Sequence, residues 1–344
     1  VCVHFGNNPE DIDWVAKSLD ALPNMMVDIA ARVPELGRHD PAKVRELFIK
    51  HQERIFFATD FMVYDKLILG SGGDGAGPSD RDAVEFYNKH WRWFETADEQ
   101  FSHMTPIQGD WKIDAIDLPA PVLRKIYFDN ARKLLVRSLP PPTLKAKRIG
   151  ADFEVDGVLD DLAWGGAATA RIDFGIRTGE AHPELSTAAR VLWSDKFLYL
   201  SYSAPFEKLT TFEPVSPTER MGLWDRDVLE AFIGADPANV KHYTEFEVAP
   251  TGEKLDLRVT LPEKDFAWSS GFGAEVHIDE AAKLWTAELR IPIAAISGTA
   301  PVAGETVWRL NLYRGSTAEK VFLGWAPTAT GSAHTPERFG FLEF

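Results

Sequence analysis

The stretch LWDRDVLEAFI, Leu223 to Ile233, decides how the second half of this chain is read. From Val228 onward it is apolar, free of Gly and Pro, and short enough for a strand. Side chains in a strand alternate between faces. Asp227, Leu229, Ala231 and Ile233 therefore share one face, and Val228, Glu230 and Phe232 share the other. Trp224 stands just before the strand. An indole ring beside a carboxylate suits a sugar, whose C–H face packs on the ring while its hydroxyls donate to the acid. A single tryptophan more often serves packing, and both readings stay open on the residues alone.

Outward from this stretch, Arg190–Ala204 reads as a hairpin turning at Ser194-Asp195-Lys196, and Tyr243–Thr260 as another turning at Pro250-Thr251-Gly252. Strands also fit Val228–Ile233, Trp285–Ile291, Thr306–Tyr313 and Val321–Trp325. Many short strands with few helical stretches predict an antiparallel β-sandwich over 149–344. RSLPPPTLKAKR, Arg137 to Arg148, precedes it. Three prolines preclude a helix there, and 138–148 is expected to be a linker.

Residues 1–137 follow a different pattern. Val1–Phe5, Met25–Ala30 and Arg54–Ala58 are apolar runs, separated by helix starts at Asn8-Pro9-Glu10-Asp11 and Asp40-Pro41. Alternating apolar strands and helices predict a parallel sheet with helices outside. The first helix carries Trp14, Val15, Leu19 and Leu22, and the second has Val44, Leu47 and Phe48 on one face. LGSGGDGAGPSD lacks a Lys-Ser/Thr ending and reads as a mobile loop rather than a phosphate cradle. Ser79 and Asp82 then open a helix with Val84, Tyr87, Trp91 and Phe94 on one face, and 119–136 forms a closing helix.

His4 and Asp60 both lie at the carboxyl ends of predicted parallel strands. Such a pair can bind a divalent metal or pass a proton, although each residue type is also common as a structural hydrogen-bonder there. The chain of 344 residues carries a net charge of −15. It therefore lacks the basic footprint that nucleic acid or an anionic membrane requires. No apolar run approaches the ~20 residues of a membrane span. One cysteine, Cys2, excludes an internal disulfide.

VHFGNNPEDIDWV, LPNMMVDIAAR, ERIFFATDF and LRKIYFDNARKLL together resemble the last part of the amidohydrolase-related family of metal-dependent (β/α)8-barrel enzymes. That resemblance implies that 1–137 is the C-terminal portion of a TIM barrel, strands six to eight with a closing helix. It implies that His4 and Asp60 are catalytic residues and ligands of a divalent metal, zinc foremost, and that Arg32 contacts a small-molecule substrate. No H-x-H pair occurs in the sequence. The family's first-strand ligands are thus expected upstream of Val1, and this segment alone is not expected to be an active enzyme.

GVLDDLAW, WSDKFLYLSY, LWDRDVLEAFI, YTEFEVAPTG, LWTAELRIPI, WRLNLYR, LGWAPT and HTPERFGFLEF resemble the family 9 carbohydrate-binding module. The resemblance implies a sugar sandwiched between two tryptophans. Trp224 matches the first of these and Glu230 matches an acid that bonds sugar hydroxyls. His334 or Ala333 stands where the second ring belongs, and Glu247 stands near an expected Arg. Relatives carry structural calcium, for which Asp225, Asp227 and Asp236 are candidates, with a solvated acidic rim as the alternative. The expected whole is a partial TIM barrel followed by an antiparallel β-sandwich: a metal-dependent hydrolase fragment with a carbohydrate-binding domain, tilted toward an extracytoplasmic location. The alternatives are a carbohydrate-binding or structural module without enzyme activity, and a decarboxylase of the same barrel family.

Overall fold

The computed structural model describes residues 1–70 and 77–344; the middle of the Gly-rich stretch, read as a mobile loop, lies outside them. The chain divides into two compact units, Val1–Leu134 and Leu135–Phe344.

In the first unit the expected barrel portion is not formed. Among the described residues the strands make three separate two-stranded sheets. Only one is parallel, Val27–Asp28 beside Ile55–Phe56, with Cys2 bridging to Val27. The predicted strand Val1–Phe5 ends at once, because His4, Phe5, Gly6 and Asn7 all adopt left-handed backbone angles. Such angles cost non-glycine residues about 1–2 kcal/mol each. Anchors offset that strain: the His4 N–H donates to Asp28 at 2.9 Å, and Phe5 is fully buried, stacked on Phe48.

The helix starts were legible. Asp11 caps Ile12–Ala21, Asp40 caps Pro41–Lys50, and Ser79 with Asp82 closes a capping box on Asp80–Glu95. Buried faces were less so. Of the apolar residues on the first helix, Val15 and Leu19 are buried, whereas Trp14 and Leu22 are exposed. On Asp80–Glu95 the core face is Phe86, His90, Trp93 and Phe94, whereas the expected Val84 and Trp91 face solvent. Two apolar rows run along this helix, and contact with Phe48 selects the one carrying Trp93 and Phe94.

The second unit is a β-sandwich. Its larger sheet runs Phe174–Gly175, Val321–Gly324, Val307–Ser316, Val228–Gly234, His242–Val248, Lys254–Thr260, Glu263–Asp265, with Gly340–Glu343 also paired to Val307–Ser316. The smaller sheet runs Gly273–Asp279, Leu284–Pro292, Phe197–Pro205, Thr187–Trp193, Lys147–Arg148, with Thr169–Ile172 beside Thr187–Trp193. Both expected hairpins form, with Trp193 paired to Leu198 and Val248 to Lys254. The stretch expected as a linker is drawn into the sheets. Thr143–Lys145 pairs with Phe341–Glu343, and Lys147–Arg148 with Leu192–Trp193, because Leu144 and Ala146 point inward and are buried.

The main core lies between the sheets. Leu229, Ala231, Ile233, Phe246, Val248, Leu310 and Leu312 meet Leu198, Leu200, Tyr202, Trp285, Ala287 and Leu289. Every residue of Val228–Gly234 is buried, so the back of the larger sheet is covered as well. A second cluster of Leu223, Val228, Phe232, Tyr243, Leu257, Tyr313 and Phe339 lies on that outer face. Among the described residues no helix is long and apolar enough to cross a membrane.

Candidate functional site

The outer face of the larger sheet carries an acidic layer. Glu230 lies opposite Glu247 across one strand pair, and Phe232 lies opposite Glu245. Period-two alternation places Glu230, Glu245 and Glu247 on this face rather than in the sandwich core. All three are buried, with relative exposures of 2%, 3% and 0%. Above them opens a cavity of 430 Å³, lined by Trp224, Phe266, Phe322, Glu230, Glu245, Lys264 and His334 among others. That size falls in the range of about 300–1,000 Å³ typical of small-ligand sites.

Three elements shape the walls. Gly222, left-handed, turns the chain into the short helical turn Leu223–Asp225. Leu223 is anchored in the outer cluster and Trp224 is left 42% exposed. Of the tryptophans in this unit, Trp164, Trp193, Trp285, Trp308 and Trp325 are buried, and Trp268 is half-buried. Trp224 is thus the ring free to meet a ligand. Phe266, just past the edge strand Glu263–Asp265, approaches it at 6.4 Å between centroids and 43°. Lys264, on that strand, reaches over the rim to His334.

His334 does not stand as a second open platform. Its ring lies 5.2 Å from Phe232 and bonds to Tyr243 at 2.6 Å and Lys264 at 2.5 Å. An ammonium only donates, so Nε2 accepts from Lys264 and the ring proton sits on Nδ1, donated to the Tyr243 oxygen. Burial and the Lys264 charge push His334 down to about 4, which keeps the imidazole neutral. Burial pushes Glu245 up to about 7. Burial and the charge of Glu245 hold Glu230 well above the usual carboxylate range. Glu247 is held there by burial and by both neighbours.

Donors from outside the cluster do not reach these acids: both carboxyl oxygens of Glu247 and Oε2 of Glu245 are buried without such a partner, and Glu245 and Glu247 bond to each other, which requires a shared proton. Other buried acids of the same unit are served by donors, Asp256 on one oxygen only. Glu288 accepts from Asp156 N, Gly157 N and Trp164 Nε1 at 2.7–3.0 Å. Asp227 accepts from Thr210 N, Thr210 Oγ1 and Thr317 N.

The structure thus gathers Trp224, Glu230 and His334 on one cavity. Sequence reasoning missed Glu245, Lys264, Phe266 and Phe322. The alternation in YTEFEV offered the one usable signal for Glu245, since it sets both glutamates on one face. The aspartates considered for calcium do not converge. Asp227 is saturated by Thr210 and Thr317, and Asp236 caps Ala238 N.

In the first unit His4 and Asp60 do approach, with Nδ1 to Oδ2 at 3.6 Å. The closer partner of Nδ1 is the Ala30 carbonyl at 2.8 Å, to which it donates. Arg32 reaches Glu35 and Asn7 rather than this pair. Two donors do not make a metal site, and among the described residues no group of three or more His, Cys, Asp or Glu is placed to hold one. The residues present therefore do not fit the divalent metal expected there.

Two mainly antiparallel sheets, the larger with an aromatic and acidic outer face, define the class, a β-sandwich module. Residues 155–344 match the family described as carbohydrate family 9 binding domain-like, and the chain belongs to that family. A curated relative, "Extracellular protein" of Arthroderma benhamiae, is 26% identical over 185 residues, covering 50% of this chain and 81% of its own length. A crystal structure of a protein from Bacteroides uniformis ATCC 8492 aligns with TM-score 0.49 and 16% identity over 60% of this chain and 100% of that one. A family 9 carbohydrate-binding module from Caldicellulosiruptor kristjanssonii, solved with cellotriose, aligns with TM-score 0.44 and 15% identity, over 58% and 92%. These similarities support the carbohydrate-binding alternative better than the expected hydrolase fragment.

Proposed function

We propose that the second unit binds a sugar in the cavity beneath Trp224, and that the protein works outside the cytoplasm as a carbohydrate-binding protein. The observation that carries the reading is an exposed indole set over a buried acid cluster in which Glu245 and Glu247 bond to each other and keep oxygens without another partner. Trp224 and Phe266 supply the apolar wall for a pyranose C–H face. Glu230 and Glu245 supply acceptors for its hydroxyls, and Lys264 supplies the one cationic donor among the lining residues. Family membership and a curated relative named as extracellular support the reading.

The test is titration of the full chain with a panel of mono- and oligosaccharides, read by intrinsic fluorescence and calorimetry, for the wild type and Trp224→Ala. Saturable binding is expected, weakened at least tenfold in Trp224→Ala with an unchanged melting temperature, because the ring is half exposed. No saturable response to any sugar in the panel overturns the proposal.

A further inference from the structure

The cavity floor is built largely of carboxyl groups. A ligand of neutral hydroxyls can satisfy some of them, yet it leaves three carboxyls facing one lysine. Lys264 is already committed: it donates to His334 Nε2, which is neutral and holds it at the rim. Elsewhere in the same unit a buried carboxylate is given donors by the protein, as Glu288 and Asp227 show, and Glu253 takes Ser216 N, Arg220 Nε and Thr251 Oγ1. Glu245, 97% buried and lining the cavity, bonds to its neighbour Glu247 and takes no donor from elsewhere in the protein, its Oε2 being without a partner. An acid pair left to share a proton at an aromatic-walled cavity can take a donor brought by the ligand.

We propose that this cavity takes a sugar carrying a protonated amine, its ammonium held by Glu230 and Glu245 above Glu247 and its ring packed on Trp224. The inference rests on the sugar-binding reading and names the ligand class for that site. An ammonium offers three donors and a full positive charge, so it meets the orphaned oxygens and the mutual repulsion of the acids together. The aromatic wall adds attraction for a cation next to a ring face.

Proton exchange follows from the surroundings. The groups facing the acids are Lys264 from the edge strand, His334, Tyr243 beside Glu245, and Tyr313 opposite Glu230 on the neighbouring strand. Burial raises both tyrosines, which therefore stay neutral, and His334 is neutral as well. Among the described residues Lys264 is thus the one cation facing them, and the acids keep protons until a second cation arrives. Binding of the ammonium releases a proton to solvent: the carboxyl O–H bond breaks and the carboxylate pairs with the amine.

The experiment is calorimetric titration of the full chain at pH 6.5 with D-glucosamine, N-acetyl-D-glucosamine and D-glucose, in two buffers of different ionisation enthalpy. The expected result is at least tenfold tighter binding of D-glucosamine than of the other two, with proton release seen only for D-glucosamine. Glu245→Gln is expected to remove that preference. Proton release in the wild type tests the idea without any variant. Equal affinity for D-glucosamine and D-glucose, both lost in Trp224→Ala, overturns the amine assignment and leaves the sugar reading standing. Binding of none of the three, nor of any other sugar in the panel, overturns both.

Discussion

Replacing Glu245 by Gln should stabilise the second unit at neutral pH and leave it unchanged in acid. Glu245 is buried, and burial raises its folded value from 4.5 to about 7. The native state therefore holds this proton more tightly than the unfolded chain does. Below pH 4.5 both states are protonated and nothing is lost. Between pH 4.5 and 7 the unfolded chain releases its proton while the native state keeps it, so stability falls as pH rises. Above pH 7 both are ionised and the loss is complete. At about 1.4 kcal/mol per pH unit the interval amounts to about 3 kcal/mol. Gln keeps the shape, does not ionise, and adds an amide donor toward Glu230 and Glu247. Glu245→Gln is thus expected to exceed the wild type by about 3 kcal/mol at pH 7.5 and to match it within about 0.5 kcal/mol at pH 4.5. The assay is urea unfolding at both pH values, with pulsed hydrogen exchange resolving peptides from 228–260, so that the second unit is read by itself. Equal stability of variant and wild type at both pH values would refute the reasoning. So would an equal gain at both, since the effect would then owe nothing to ionisation.

Two further outcomes follow from the buried polar structure. Asp227→Ala removes a carboxylate that ties Thr210 and Thr317 to the start of the strand under Trp224. It should cost about 2–4 kcal/mol by thermal melting, because two backbone amides lose a charged partner. Gly157→Ala places a Cβ 2.6 Å from the Val276 carbonyl carbon at a left-handed φ of 83°. The loss expected in the same melting experiment is at least about 2 kcal/mol, whereas alanine at Gly150, with nothing within 4 Å, should be tolerated.

Local chemistry was legible wherever its partners lie two to four residues apart. Asp40-Pro41, the Ser79–Asp82 box and the Ser194-Asp195-Lys196 turn carry their own geometry, and each formed where it was expected. The first unit was misread for the opposite reason. Apolar runs at 1–5, 25–30 and 54–58 have the composition of barrel strands, but strand length depends on neighbours. Left-handed backbone at His4, Phe5, Ala31 and Asp60 ends or flanks each run after very few paired residues. Resemblance in four segments therefore suggested the C-terminal portion of a barrel, which the fold does not contain.

The site shows the same division. Composition fixed an acidic chain without a basic footprint. Alternation in LWDRDVLEAFI fixed which side chains share a face, because a strand's period of two is a property of the backbone alone. Sequence could not show that both faces of that strand are buried, since an apolar alternation reports one covered face and is silent about the other. Covering of the outer face by Leu223, Phe339 and the segment bearing His334 was decided by tertiary structure. That covering converts three ordinary glutamates into buried acids with raised proton affinity, because desolvation acts through neighbours distant in sequence. Lys264, 70 residues from His334, reaches it because an edge strand delivers it to the rim. The sequence by itself determined the strands, their faces and the acids they carry; only the packing of distant segments made those acids the floor of a cavity.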